Sequence, residues 1–278
     1  MRYWPSALIR LATFLAAFLL SPVHALAQLG EFDDLASRLA KQLKPFNSRL
    51  VAVVDFRSPD GTSSPQGHYF AWILSSYLEQ RAKSKFTVAN HIGFDKDLAA
   101  LQIVPSALVP GPALHAAAPH LGADVLITGI IEKRGDSYLI QLIAIHVADG
   151  KSLNAVSLSL KSSPFLESLI TPFPPEILRL SGKALPTDVA VPSCVRCPDP
   201  SYNNLARSER IQGTCVLEVL ISKTGEPEQI RPVKLLGYGL DEGAYNAVKG
   251  WKFRPAISKK DGTPVSVIVP IEVTFRLF

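Results

Sequence analysis

Apolar residues recur with two periods along residues 31–160, one typical of helices and the other typical of strands. Phe32, Leu35 and Leu39 recur at helical spacing. Residues 50–56, by contrast, form a nearly continuous apolar run of the kind found in strands that are buried on both faces. These patterns predict helices over residues 32–43, 66–83 and 113–121, and strands over residues 50–56 and 86–89.

Three further strands are predicted in quick succession, over residues 124–132, 138–147 and 153–160. The first two are separated by Gly135-Asp136 and the last two by Asp149-Gly150. Asp-Gly between two apolar runs is a strong hairpin signal, because both central positions of the turn favour a positive φ. The sequence therefore predicts a mixed α/β domain that ends in an antiparallel meander.

The end of the chain has the most regular pattern. Apolar residues occupy every second position from Val265 to Leu277, which predicts a strand with one face on a core and one face outward. Pro270 cannot donate a ladder hydrogen bond, so this strand is expected to lie at a sheet edge for part of its length. This C-terminal block is also predicted to contain a helix over 201–210 and strands over 214–222 and 229–236, with a bulge or kink at Pro232 in the second strand. A further helix is predicted over 241–249, with Asp241 as its cap.

Residues 162–197, between these blocks, are predicted to be a proline-rich linker that partly packs, with single helical turns at 166–170 and 176–180. The predicted fold class is α+β with two domains. The expected organisation is an export segment or anchor at 1–27, an α/β domain at 28–161, the linker at 162–197, and a β-β-α-β domain at 198–278.

The first 27 residues have the pattern of a secretory signal. Arg2 and Arg10 supply positive charge, residues 11–20 are an uncharged apolar run, and Ala25-Leu26-Ala27 provides the small residues of a cleavage site. The alternative is an anchor retained through residues 7–20, although this stretch is short against the ~20 residues that a membrane-spanning helix needs. Cleavage after Ala27 predicts a periplasmic protein, whereas retention predicts an inner-membrane protein that faces the periplasm.

Composition excludes several classes of protein. Of the 278 residues, 47% are hydrophobic and only 19% are charged, which is unlike an intrinsically disordered chain. Loss of the two arginines of the export segment takes the net charge from +5 to +3. Since no basic run interleaved with aromatic residues occurs either, a nucleic-acid partner is not expected.

Three cysteines are the first candidates for chemistry. Cys194 and Cys197 form a C-x-x-C between prolines, where a redox-active pair would need the start of a helix after a buried strand. A local disulfide between them is the preferred interpretation, with redox or metal chemistry and a reduced pair as alternatives. Cys215 shares a strand face with apolar residues and is expected to be a buried core residue, although a bridge to one of the other cysteines stays open.

No motif of an enzyme or of a cofactor site was found in the sequence. It has neither G-x-x-x-x-G-K-[ST], nor G-x-G-x-x-G after a strand, nor G-x-S-x-G. The histidines are scattered, and four ligands at the spacing of a zinc site do not occur. We therefore expect a protein that is not an enzyme and that binds no cofactor and no metal.

The C-terminal block contains a specific succession of residues. It begins at Pro200-Ser201-Tyr202, continues through Gly213 and Gly225, and includes Trp251-Lys252-Phe253-Arg254-Pro255 and Phe275. Through these residues, residues 200–278 resemble the C-terminal domain of the TonB family of energy transducers. Asn203 departs from the pattern, because many members of the family have a proline after the tyrosine. Residues 49–160 more weakly resemble the amino-terminal domain of TolB and of related envelope proteins such as the curli-secretion family, through residues 50–56, 121–124 and 149–150.

The TonB resemblance implies a partner and a mode of binding. Members of that family bind a short periplasmic segment of outer-membrane receptors by strand addition. The implied partner is therefore such a receptor or another envelope protein, and a second copy of this chain is a further option. The implied partner-binding residues are Pro200, Tyr202, Val269, Ile271, Val273 and Phe275.

Two alternatives stay open at this point. The last strand can instead be an ordinary core strand whose edge is covered by the linker or by a second copy. The function can also be that of an energy transducer, anchored in the inner membrane through residues 7–20 and acting in outer-membrane transport, rather than that of a periplasmic interaction protein.

Overall fold

A computed structural model of the protein describes residues 22–44, 50–82, 85–89, 122–153, 155–180 and 188–277. The apolar run at 11–20 and the helix predicted over 113–121 lie outside the described residues. Within the described ranges, no helix is both long enough and apolar enough to cross a membrane.

Among the described residues, the first half of the molecule consists of a five-stranded sheet with two helices on one face. Its strands lie in the order β2-β1-β3-β4-β5, with β2, β1 and β3 parallel and with β3, β4 and β5 antiparallel. The predicted α/β domain with a terminal meander is thus confirmed. Its elements are α1 (Pro22–Leu43), β1 (Leu50–Val53), α2 (Pro65–Ala82), β2 (Thr87–Val88), β3 (Val125–Arg134), β4 (Ser137–His146) and β5 (Val156–Lys161).

The helical periodicity in the sequence marks the residues that close this sheet. Phe32 and Leu35 of α1 are buried, and the ring of Phe32 stacks on that of Phe70 in α2 with 5.6 Å between centroids. Tyr138 of β4 extends the aromatic contact to the sheet, 6.1 Å from Phe70. Burial of these large side chains is the main contribution to the stability of this half.

The described parts of the segment predicted as a linker, residues 162–180 and 188–197, form one helix and three short strands. These are α3 (Pro164–Ser168), β6 (Leu178–Arg179), β7 (Val189–Ala190) and β8 (Ser193–Arg196). Ser163 caps α3 by accepting the N–H of Leu166. The helical turn predicted at 176–180 is wrong, because this stretch ends in β6, which pairs with a strand of the second half. Long-range pairing overrides local preference here.

The second half has a four-stranded sheet with the order β10-β9-β14-β6, packed on one helix. Its elements are α4 (Asn204–Ser208), β9 (Gly213–Ile221), β10 (Pro227–Lys234), α5 (Leu240–Lys249), β11 (Lys252–Arg254), β12 (Ala256–Ser258), β13 (Pro264–Val265) and β14 (Val267–Phe275). The predicted β-β-α-β succession is confirmed. Helix α4 is shorter than the predicted 201–210, because Asn203 caps it and residues before Asn203 are not helical.

Two small sheets accompany the four-stranded sheet. The bulge or kink predicted at Pro232 corresponds to an irregularity in β10, whose pairing register with β9 shifts between Pro232 and Lys234. Strand β11 pairs with β8, and β12 lies between β13 and β7. Gly225, in the turn between β9 and β10, has φ +82° and lies so close to this region that a Cβ would be 1.8 Å from the carbonyl oxygen of Phe253.

Asp241 does not cap α5 as predicted. The N-cap is Gly239 with φ 74°, and Asp241 is the second residue of the helix. Its buried carboxylate reaches back and accepts the N–H groups of Leu236 (2.6 Å) and Gly237 (2.7 Å). Asp241 therefore stabilises the loop that enters the helix, and it is wholly buried, which an N-cap at the surface would not be.

The two halves are in contact through aromatic side chains. Phe165 of α3 packs edge-on against Tyr245 of α5 with 5.8 Å between centroids, and Tyr77 of α2 lies 6.5 Å from Tyr238. In the second half, these two contacts are made by α5 and by the loop before it.

Candidate functional site

Strand β14 has one paired side and one side that is mostly open. It pairs with β9 in antiparallel register along its whole length, from Val267 opposite Ile221 to Phe275 opposite Gly213. On its other side, β6 pairs only with Val267 and Ile268. No other described strand pairs there, so the outer side of residues 269–275, called the open edge below, is free of strand pairing among the described residues.

The direction of the main-chain groups along the open edge follows from two hydrogen bonds. The carbonyl of Ile268 accepts the N–H of Leu180, so the main-chain groups of Ile268 point away from β9. The carbonyl of Val273 accepts from the thiol of Cys215 on β9, so the main-chain groups of Val273 point toward β9. Because these directions alternate along an antiparallel strand, the even-numbered residues point their main-chain groups outward.

Three residues therefore present main-chain groups at the open edge. Glu272 and Thr274 each offer one N–H and one carbonyl, whereas Pro270 offers a carbonyl alone. Pro270 thus lies where a missing N–H removes no bond to β9, as expected for a proline in an edge strand. The open edge can form a ladder with an added strand, and its two donors are near its C-terminal end.

The predicted partner-binding residues on β14 have their side chains on the core face of the sheet. Val273 and Phe275 are each 2% exposed and pack in the cluster around α5, while Val269 and Ile271 are half-buried against the same cluster. An added strand would therefore meet the backbone of β14, and the side chains beside it would be those of Glu272 and Thr274, which are exposed. Sequence reasoning did not name these two, because their outward main-chain groups leave no trace in the apolar pattern.

One side chain of β14 that the alternating pattern predicts to be exposed is buried. Ile268 belongs to the solvent-facing set of that pattern, yet it is 1% exposed. It packs with Phe173 and Leu220 on the outer face of the sheet. The segment before β6 supplies Phe173, so a part of the chain 95 positions away covers a face that the local pattern assigns to solvent.

Pro200, Tyr202 and Phe275 come together in a groove of about 560 Å³ at the end of β14, called the end groove below. The ring of Tyr202 meets that of Phe275 edge-on with 5.6 Å between centroids, and its hydroxyl donates to the carbonyl of Ile211. The guanidinium of Arg207 lies over Tyr202 at 5.7 Å. The lining residues are Asp199, Pro200, Tyr202, Arg207, Thr274, Phe275, Arg276 and Leu277.

Asn203, which departs from the family pattern, has a structural role in this chain. Its side-chain oxygen accepts the N–H of Ala206 at 2.8 Å, and its side-chain amide donates to the carbonyl of Tyr238 at 2.5 Å. It thereby caps α4 and ties this helix to the loop before α5. A proline at this position would supply neither bond.

The cysteines are placed as the preferred interpretation expects. Cys194 and Cys197 are joined by a disulfide at the end of the exposed strand β8, which pairs with β11. Cys215 is buried with a free thiol, and burial, assisted by the charge of Asp241, raises its pKa to about 12. A thiol that stays protonated in a closed apolar site is a packing residue. Within the described ranges, no group of three or more His, Cys, Asp or Glu residues is placed to hold a metal ion.

Comparison with known proteins gives a match for the second half. Residues 198–277 match the family model described as the C-terminal domain of the Gram-negative bacterial TonB protein. A curated relative, Protein TonB of Vibrio cholerae serotype O1, is 37% identical over 81 residues, which make up 28% of this chain and 32% of the relative. The chain therefore spans about a third of the length of this curated relative.

Solved structures of other proteins also align with parts of the chain. The LpoB C-terminal domain from Salmonella enterica aligns over 48% of this chain and 97% of that domain, with 15% identity and a TM-score of 0.37. The TonB C-terminal domain from Pseudomonas aeruginosa aligns over 37% of this chain and 95% of its own length, with 18% identity and a TM-score of 0.28. The resemblance of residues 49–160 to the TolB amino-terminal domain stays a prediction. The resemblance of the C-terminal residues is confirmed: residues 198–277 match the TonB C-terminal family.

Proposed function

We propose that this protein is a non-catalytic interaction protein of the cell envelope, exported to the periplasm, which binds a partner by adding a strand of that partner to the open edge. The observation that carries this proposal is the open edge itself, with two N–H groups and three carbonyls that no described strand pairs with. The family match of residues 198–277 supports an outer-membrane receptor as the type of partner. In this proposal, the protein is not an enzyme and needs no cofactor.

The side chains near the open edge add selectivity to the main-chain ladder. A segment that pairs with Glu272 and Thr274 passes beside the end groove, where Pro200, Tyr202 and Arg207 line the wall. Strand addition of this kind takes its affinity from main-chain hydrogen bonds and its selectivity from pockets for alternate side chains. The disulfide-linked strand β8, which pairs with β11, ends four residues before Pro200.

Substitution of Thr274 by proline tests the proposal. The N–H of Thr274 points outward, so Thr274→Pro removes a donor from the open edge without removing a bond to β9, as Pro270 already does at an equivalent position. Loss of one main-chain bond is worth about 1 kcal/mol, or about fivefold in affinity, and the proline ring adds a clash with an added strand. Photo-crosslinking in cells from a probe residue at Glu272, in the full chain, measures the partner that is captured.

Thr274→Ala is the matched control, because both variants lose the bond between the hydroxyls of Thr274 and Thr214 (2.9 Å). We expect the amount of partner captured by the proline variant to be at least about fivefold lower than that captured by the natural protein. The amount captured by the alanine variant should stay within about twofold of the natural protein. Equal capture by the two variants, with equal unfolding midpoints, would refute strand addition at this edge.

The second candidate is an energy transducer anchored through residues 7–20. The apolar run at 11–20 favours it, since it is joined in one chain to a TonB-family domain. N-terminal sequencing of the mature protein from the cell envelope separates the two. A start at Gln28 contradicts the anchored transducer, and a retained Met1 contradicts the exported soluble protein.

A further inference from the structure

Residues 171–180 hold one end of the edge of β14. Within this segment, β6 lies parallel to β14, with Leu178 opposite Val267 and Arg179 opposite Ile268. The N–H of Leu180 then donates to the carbonyl of Ile268 at 2.7 Å. The chain thus already adds a short strand of its own to the edge that the proposed partner would use.

Side-chain contacts on the outer face of the sheet hold this segment in place. Phe173 packs on Leu220 and Ile268, and its ring lies 5.4 Å from the guanidinium of Arg179 and 5.2 Å from that of Arg231. Both arginines bind Glu218, which is 15% exposed; the Arg231 contact is 2.6 Å. Burial acts to raise the pKa of Glu218, but the hydrogen bonds from the two arginines outweigh it and lower that pKa overall.

Two further contacts fix the segment from other directions. On the opposite face of the sheet, Leu180 is 3% exposed and packs with Val267 and Ala256. The side-chain amide of Gln229 on β10 donates to the carbonyls of Thr171 (3.1 Å) and Pro172 (3.0 Å). The segment therefore contacts both faces of the sheet at this edge. Buried apolar side chains hold its short strand in place on either side, Phe173 before it and Leu180 after it.

We propose that residues 171–180 are a fixed stop that confines strand pairing to residues 270–275. The outward carbonyl of Ile268 is already used by Leu180, and Pro270 has no N–H, so an added strand finds its two donors only at Glu272 and Thr274. The partner that fits is an extended segment of about five residues, not a long strand that runs the length of β14. This inference rests on the proposed function, because it specifies the partner of the same edge.

Amide hydrogen exchange of the full chain, resolved by residue with NMR, tests the stop without a partner. In a fixed stop, the amide of Leu180 exchanges as slowly as amides of β14 and β9. Exchange of Leu180 as fast as that of the turn residues Lys223 and Thr224 would overturn the inference, whatever the partner is. Arg179→Ala, which removes one ion pair to Glu218, should speed the exchange of Leu180 at least about tenfold. Arg254→Ala, an exposed arginine away from the segment, should leave it unchanged.

The same measurement with the partner bound separates the two proposals. The probe is the purified envelope protein captured by crosslinking at Glu272. Protection gained by the amides of Glu272 and Thr274, with the Leu180 amide still slow, supports both. Loss of Leu180 protection on binding would show that the segment is displaced, which overturns the stop and leaves strand addition standing. If no protein is captured, or if the amides of Glu272 and Thr274 gain no protection, the proposed function is refuted. The exchange rate of the Leu180 amide in the free protein still decides whether residues 171–180 are fixed.

Discussion

Asp241 should make the free energy of unfolding fall as the pH rises. Its carboxyl is wholly buried in α5, and burial raises its pKa to about 7, although the N–H groups of Leu236 and Gly237 donate to it and act in the opposite direction. In the unfolded chain an aspartate titrates near 3.8. Between these two values the folded state holds a proton that the unfolded state has released. The stability that this group contributes is therefore fully present below about pH 4 and is lost as the pH rises to about 7.

The size of this effect follows from the two pKa values. The interval from 3.8 to about 7, at about 1.4 kcal/mol per pH unit, corresponds to a decrease on the order of 4 kcal/mol between pH 4 and pH 8. Asp241→Asn keeps the shape of the side chain and one acceptor oxygen, but it cannot ionise. The variant should therefore lack this component of the pH dependence, and the stability of the natural protein relative to the variant should fall by the same amount over that interval.

Urea unfolding of the full chain at pH 4 to pH 8, followed by circular dichroism and by tryptophan fluorescence, measures this difference. Asp199→Asn serves as the control, because Asp199 is exposed and its replacement removes one carboxylate without changing a buried site. If the curves of the natural protein and of Asp241→Asn stay parallel across this pH range, the buried carboxyl does not titrate as the structure implies, and the reasoning is refuted.

Two further predictions concern packing in the second half. Gly225→Ala should destabilise the protein by more than about 3 kcal/mol, because it adds a backbone clash to a left-handed conformation. Gly262→Ala should destabilise the protein by only about 1 kcal/mol, since Gly262 has φ +72° but nothing within 4 Å of an added Cβ. Equal decreases in melting temperature for the two variants would contradict the clash at Gly225. Cys215, with its pKa raised to about 12, should resist iodoacetamide at pH 8 in the folded protein and react in urea, whereas labelling of the folded protein at the rate of an exposed thiol would show that the site is open.

The candidate site was only partly predictable from the sequence. The family resemblance predicts Pro200, Tyr202 and Phe275 as partner-binding residues, and the structure brings them together in the end groove. It also predicts Val269, Ile271 and Val273, but their side chains lie on the core face of the sheet. The sequence does not indicate the outward main-chain groups of Glu272 and Thr274, since the direction of a main-chain N–H depends on which neighbour a strand pairs with.

The prediction for Asp241 failed for a related reason. An aspartate before an apolar helical pattern is a good N-cap candidate by local rules. In the structure, Gly239 takes that position, and Asp241 accepts bonds from the preceding loop inside a closed core. Burial of this carboxyl depends on packing around α5, which local spacing does not contain.

The sequence by itself determined the elements whose period is local. The alternation from Val265 to Leu277 predicted the last strand and its core face, the Asp-Gly turn predicted the hairpin of the meander, and the spacing of Cys194 and Cys197 indicated their bridge. Tertiary structure alone decided which edge of β14 is open and where it is closed, because Phe173, Arg179 and Leu180 act on residues about 90 positions away. Periodicity shows on which face of a helix or strand a side chain lies. Whether the edge of a strand is covered depends instead on which distant segment of the chain lies beside it.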